Sequence, residues 1–406
     1  MAAGENIIFI GNEAISNYYY AYGGVIYAYA ASSSLLFFSI EAEEDIIFID
    51  NGAISNSYTA YGRVIYAYAK DASSLTFKIE TEGDIAFSDN ISGSVGAIYA
   101  CTISASSSLT FSIRAEGDIT FSDNQAISTR TNSGAIYAYS SSLLTFSIDA
   151  GKDISFANNT ANQSGGAIYV TVKSSSLIFS ISAEGGITFT GNNVRNGAIY
   201  IYTSSSASLT FNIVTEGDIS FTNNTASDHG GAIYITNESS SSVAFGIYAG
   251  KDIIFANNTA VKEGGAIFAH ATSTLLTFNI VAGRDISFTK NQVTGSSVSG
   301  GAIRALAALP FNIKAGRNIT FANNTASNGN GGAIYLNAVS FSQPFTIEAG
   351  GNITFTDNKA KASGGAIYAT NQKSYIKLIA KKIIASGNTP ANFGLFEYHT
   401  ADGSKL

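Results

Sequence analysis

Asp228-His229 is the one place in this chain where a carboxylate and a histidine stand side by side, the pairing a hydrolase uses to orient a general base. It sits in a variable loop with no repeated nucleophile nearby and reads as an exposed chance pair. Cys101, the only cysteine, occupies a strand position that other copies fill with Tyr29, Tyr68, Tyr139 and Thr171. It reads as an ordinary substitution in an outward row, not as a nucleophile. One cysteine and three separated histidines (His229, His270, His399) leave no zinc ligand set. Acidic residues recur at one bend: Glu43-Glu44-Asp45, Glu82-Gly83-Asp84, Glu116-Gly117-Asp118 and Glu216-Gly217-Asp218, then Gly151-Lys152-Asp153 and Gly283-Arg284-Asp285. Paired carboxylates can cleave glycosides or hold calcium. A feature spread over many copies is what a turn requires, whereas an active site is a local exception. Gly-Gly before Ala-Ile is no phosphate loop, because no helix follows it. The expectation is no catalytic residue, no metal and no cofactor.

Two interleaved motifs form the frame for these residues. Asparagine closes an Ile-x-Phe-x-x pattern at Asn12, Asn51, Asn90, Asn124, Asn159, Asn192, Asn224, Asn258, Asn291, Asn324 and Asn358, with a degenerate copy at Asn388. Gly-Ala-Ile-Tyr or a close variant alternates with it, its isoleucine at Ile26, Ile65, Ile98, Ile136, Ile168, Ile199, Ile233, Ile267, Ile303, Ile334 and Ile367. Spacings of 30 to 39 residues mark a solenoid. Each copy holds three runs of period two, which is strand periodicity. In one copy they are Leu109 to Ile113, Ile119 to Phe121 and Gly134 to Ile136, joined by an acidic turn and a polar loop, with a Ser-rich segment closing the circuit. Three strands per coil predict an all-β, right-handed parallel β-helix of about 11–12 coils, the hand following from the crossover rule. At about 4.8 Å per coil the rod would be roughly 55–60 Å long.

Parity predicts the core. Phe and Ile of the first strand, Ile and Phe of the second, and Ile plus a small apolar residue of the third point inward. The eleven ladder asparagines are expected to bond their equivalents above and below. Tyr follows the third-strand isoleucine at Tyr27, Tyr66, Tyr99, Tyr137, Tyr169, Tyr200, Tyr234, Tyr335 and Tyr368. If the isoleucines face in, these rings form an outward column, which suits an interaction surface or carbohydrate platform and equally suits plain stacking. Thr188-x-Thr190, Ser220-x-Thr222, Ser287-x-Thr289 and Thr354-x-Thr356 make a hydroxyl array. Ile8, Ile47, Ala86, Ala157, Ala256 and Ala322 break it, so an ice-binding lattice is a poor match.

Composition removes other classes. The chain has 406 residues, 45% apolar and 13% charged, with net charge −7. That charge argues against nucleic-acid binding, and no apolar run is long enough to span a membrane as a helix. No secretory leader is visible at the N-terminus. The first copy starts at Ile7, without room for a cap, whereas residues 371–406 lose the repeat and carry Lys373, Lys377, Lys381, Lys382 and Pro390. Residues 1–203 hold 8 basic and 18 acidic side chains; residues 204–406 hold 14 and 11. Opposite charge at two ends predicts head-to-tail contact.

The paired motifs resemble the passenger repeats of chlamydial polymorphic outer-membrane proteins, which carry Phe-x-x-Asn and Gly-Gly-Ala-Ile tetrapeptides. Here they stand as Phe156-Ala157-Asn158-Asn159 with Gly165-Gly166-Ala167-Ile168, as Phe221 to Asn224 with Gly230 to Ile233, and as Phe355 to Asn358 with Gly364 to Ile367. Arg63 and Val95 replace motif glycines in early copies. The resemblance implies a right-handed β-helix passenger, exported by an autotransporter route and used in adhesion to host cells. The expected organisation is a repeat domain over 1–370 and a degenerate last coil with cap or tail over 371–406. The expected function is non-enzymatic: a surface-exposed structural or adhesive solenoid that binds itself, a host cell or matrix, outside the bacterial cell. The alternatives are a carbohydrate-active β-helix enzyme of lyase or hydrolase type and an ice-binding solenoid.

Overall fold

A computed structural model describes the chain apart from residues 17–23, 32–34, 56–63, 72–73, 128–132, 164, 205–207, 239–241, 297–298, 309–310, 338–344, 371–374, 391–396 and 400–406. Arg63, Lys373 and part of the C-terminal tail therefore lie outside the described residues. The chain forms two compact units, Met1–Ser208 and Leu209–Leu406. Both are built of short parallel strands with no helix among the described residues, so each is a parallel β-solenoid.

Each coil has four strands where the sequence predicts three. In the coil of Asn224 they are Leu209–Thr215, Ile219–Thr222, the two-residue Thr225–Ala226, and Ile233–Asn237. The extra short strand follows the asparagine directly. Its second residue turns inward and stacks as a core column of its own: Ala226, Ala260, Val293, Ala326 and Ala360 in one unit, and Ala126, Ala161 and Val194 in the other. Small apolar side chains there leave room for backbone to pair on both sides, which a purely polar loop would not give.

Register is strict, motif on motif. Ile85 pairs with Ile119 and Phe87 with Phe121; in the other unit Ile253 pairs with Ile286 and Phe255 with Phe288. One-residue slips would turn every inward side chain to solvent, so the apolar pattern locks the pairing. Phenylalanines stack in two columns per unit at 4.1–5.1 Å between ring centroids, as in Phe87–Phe121 and Phe245–Phe278. Phe48, Phe87, Phe121, Phe221 and Phe288 are fully buried, as are the isoleucines two residues before them. No coil could bury that face alone, so stability comes from coil-on-coil contact.

Bends are built from backbone geometry that particular residues permit. The residue before each ladder asparagine adopts a left-handed conformation, with φ between 53° and 57° at non-glycine positions such as Asp50, Asn158, Asn257 and Lys290. Asn, Asp and Gly dominate there because they tolerate that region. Of the two glycines before the third strand, Gly264 has φ +62°. Gly265 has no room for a side chain, since a Cβ would stand 2.0 Å from the Gly301 carbonyl oxygen of the next coil.

Candidate functional site

Most candidate residues are absorbed by the architecture. Asn12 at the start of the column is exposed, whereas a buried ladder asparagine inside it uses both its amide hydrogens and its oxygen. Its Nδ2 donates to the Oδ1 of the next coil's asparagine at 2.8–3.2 Å, as from Asn90 to Asn124 and from Asn291 to Asn324. The same Nδ2 donates to a phenylalanine carbonyl of the previous coil, as from Asn291 to Phe255 at 2.9 Å. Its Oδ1 accepts from the backbone N–H and the Nδ2 of the asparagine before it, as Asn291 does from Asn258. The spacing Phe-x-x-Asn follows from this: the phenylalanine fills the core and its carbonyl receives the amide one coil on.

The acidic bend has a similar explanation. Asp45 Oδ1 accepts from Asp84 N, Asp84 from Asp118 N and Asp118 from Asp153 N, at 2.7–2.9 Å. Asp218, Asp252 and Asp285 repeat the arrangement in the second unit. Farther out, Ser39, Glu41, Lys78, Glu80, Arg114 and Asp149 link as a partly exposed stripe of hydrogen bonds and ion pairs on the first-strand face. Among the described residues no group of three or more His, Cys, Asp or Glu side chains could hold a metal ion. Cys101 is buried, in register between Tyr68 and Tyr139.

The tyrosines that follow the third-strand isoleucines do face outward, since the isoleucines are buried. Their rings lie flat on one another: Tyr27–Tyr66 at 5.1 Å, Tyr66–Tyr99 at 5.2 Å and Tyr99–Tyr137 at 4.7 Å, all within 5° of parallel. In these pairs the ring faces are taken by neighbouring rings, whereas Tyr137 and Tyr169 are tilted by 46° and Tyr27 is exposed. Tyr66, Tyr137 and Tyr335 are buried. Burial pushes the phenols of Tyr169 and Tyr234 up to about 12.

One stretch departs from the repeat. Arg304 stands in the aromatic column between Phe268 and Tyr335, in register with both. Its Cζ is 5.8 Å from the Phe268 centroid and 4.8 Å from that of Tyr335. The guanidinium pairs with Glu263. Glu263 sits between His229 and Ser299 in a column of isolated bridges, with its Oε2 3.9 Å from His229 Nδ1. Lys262 pairs with Asp228. The His229 ring lies 5.2 Å from those of Tyr234 and Phe268. Asp228 is only 7% exposed and His229 is half-buried, so the Asp228-His229 pair is packed into the fold and not the exposed accident its sequence suggests.

Burial sets the electrostatics here. It pulls His229 down to about 4, with Lys262, Arg304 and His270 acting in the same sense against Asp228. It raises Glu263 despite Arg304, and lowers His270 and Arg304. His229 Nδ1 and Arg304 Nε are buried without a hydrogen-bond partner. Such orphans cost about 1–3 kcal/mol each. In the column His229, Glu263, Ser299 the glutamate stands between the histidine and the serine, which lie one coil away on either side of it. The cluster is balanced in charge, Lys262 with Asp228 and Arg304 with Glu263. Sequence alone shows Arg304 as one of two breaks in the nine-of-eleven tyrosine pattern. That break is the available signal, and Glu263 has none because its loop varies between coils.

The pattern of the Chlamydia polymorphic membrane protein repeat matches five times, at residues 153–171, 218–236, 252–270, 318–337 and 352–370. Each match runs from the bend residue through the ladder asparagine to the third strand. The coil that carries Arg304 lies between two matches and is not itself matched. No curated protein and no solved structure matches the chain. No helix among the described residues is long and apolar enough to cross a membrane.

Proposed function

We propose that this chain, a β-solenoid repeat protein of the Chlamydia polymorphic membrane protein type, is the passenger of a surface protein and acts as a non-enzymatic adhesive solenoid outside the cell. The observation that carries the reading is the repeat itself, matched five times on coils whose polar motif residues are consumed by inter-coil hydrogen bonds. A chain that commits its asparagines and bend aspartates to axial bonding offers extended surface instead of a reaction centre. Adhesion would then use side-chain edges on many coils, giving a broad contact.

Purified chain coated on beads should bind cultured animal cells saturably, with soluble chain competing. Binding no stronger than that of beads coated with an unrelated protein of equal charge would refute the adhesive reading. Self-assembly is a second reading, favoured by the charge difference between the halves, −10 for residues 1–203 and +3 for residues 204–406. Association by that route weakens with salt, because the Debye length falls to about 10 Å at 0.1 M. Light scattering that shows monomer at low salt and high concentration would remove it.

A further inference from the structure

His229 occupies the position before the Gly-Gly bend where the next coil places Glu263 and later coils of the same unit place Ser299, Asn330 and Ser363, so it is the one histidine at this position among them. Its ring packs against Tyr234 and Phe268, and the bend that follows it is tied down by two bonds. Gly230 N–H donates to Glu263 O at 2.8 Å and Gly231 N–H to Gly264 O at 3.2 Å. Gly230 takes the left-handed conformation of this bend, with φ +58°. The charged and titratable groups around the ring are Asp228 on its own coil, Lys262, Glu263 and His270 from the next, and Arg304 from the coil beyond; Glu238 acts on His270 and Tyr234. At neutral pH the two closest carboxylates, Asp228 and Glu263, are already matched by Lys262 and Arg304.

We propose that His229 is an acid-sensitive latch: neutral, it holds the bend before the third strand closed over the aromatic column, and protonated, it is expelled so that the bend opens and uncovers Tyr234 and Phe268. An imidazolium in the closed site would be a third cation among carboxylates that are already paired, in a place where burial penalises charge. A free histidine titrates near 6.5, well above its value in the closed bend, so acid favours the open form across that interval. Glu263 works in the opposite sense. Its raised pKa means that protonation stabilises the closed form, so it moderates the response and does not drive it.

Hydrogen exchange on the full chain tests this, with rates corrected for the intrinsic effect of pH. Between pH 7.5 and 5.0, protection of Gly230 and Gly231 should fall roughly 10- to 30-fold, as expected for a histidine that titrates near 6.5 in the open bend and at about 4 in the closed one. Gly331 and Gly332, in the equivalent bend after Asn330, should keep theirs. His229→Asn should abolish the difference, and Glu263→Gln should preserve it. An equal loss at both bends, or a loss that survives His229→Asn, overturns the latch. The chain without substitutions supplies an independent check: an NMR titration that places His229 at an ordinary histidine pKa overturns it as well.

Discussion

The Arg304 guanidinium lies over the ring of Tyr335, Cζ to centroid 4.8 Å, in a column that aromatic rings otherwise fill through Tyr234, Phe268 and Tyr368. A cation between two rings gains from their quadrupoles, but here it is also largely desolvated and needs Glu263 beside it. Everywhere else the fold repeats one solution per column. Substitutions should therefore separate residues that serve the stack from residues that interrupt it.

Asn291→Ala should cost about 2–4 kcal/mol in urea unfolding, more than an exposed polar deletion. It leaves the Asn258 amide, the Phe255 carbonyl and the Asn324 oxygen short of a partner inside the protein. Unchanged stability would show that water replaces the side chain at no cost.

Phe121→Ala should cost about 3–5 kcal/mol, because it empties a layer between Phe87 and Phe156. Its neighbour Thr120 points outward, and Thr120→Ala should stay within about 0.5 kcal/mol. Equal costs would mean that the inward and outward assignment of the second strand is wrong.

That assignment is legible in the sequence. Phe-x-x-Asn and Gly-Gly-Ala-Ile repeat so often that period and parity place the Phe121 and Ile136 types in the core and the tyrosines outside. The short strand is not legible as a strand. Two residues such as Thr225–Ala226 are too few to show alternation, and only the recurrence of Ala or Val two places after the asparagine marks them. The charged cluster is illegible for a different reason. Asp228, Glu263 and Arg304 lie on successive coils, and the loops that carry the first two differ in sequence, so nothing along the chain links them until the coils stack.

Gly265→Ala should destabilise by about 1–3 kcal/mol or more, since its methyl would meet the Gly301 carbonyl oxygen at 2.0 Å. Gly52→Ala is the control, because its nearest atoms would be 3.6 Å away. It should change the thermal midpoint little.

Alkaline titration should reveal late-ionising phenols. Tyr68, Tyr169 and Tyr234 are raised by burial to about 12 against an ordinary 10. Their raised folded values mean that their contribution to stability is complete below about pH 10 and is lost as pH rises towards 12. Tyrosine absorbance should therefore show a class that ionises together with unfolding. A single transition near 10 with the fold intact would contradict the partial desolvation of these phenols.

The stack carries the stability of this fold, and the Arg304 cluster is a departure kept at a cost to it. The double substitution Glu263→Ser with Arg304→Tyr restores residue types that equivalent positions hold at Ser299, Ser363 and Tyr335. Replacing buried ion pairs by well-packed neutral side chains is commonly neutral or stabilising by about 1–4 kcal/mol. The urea midpoint of the double variant should therefore rise, with the slope of the transition unchanged. A midpoint below that of the unsubstituted chain would show that the cluster is itself a structural support, and would contradict this division between stack and departure.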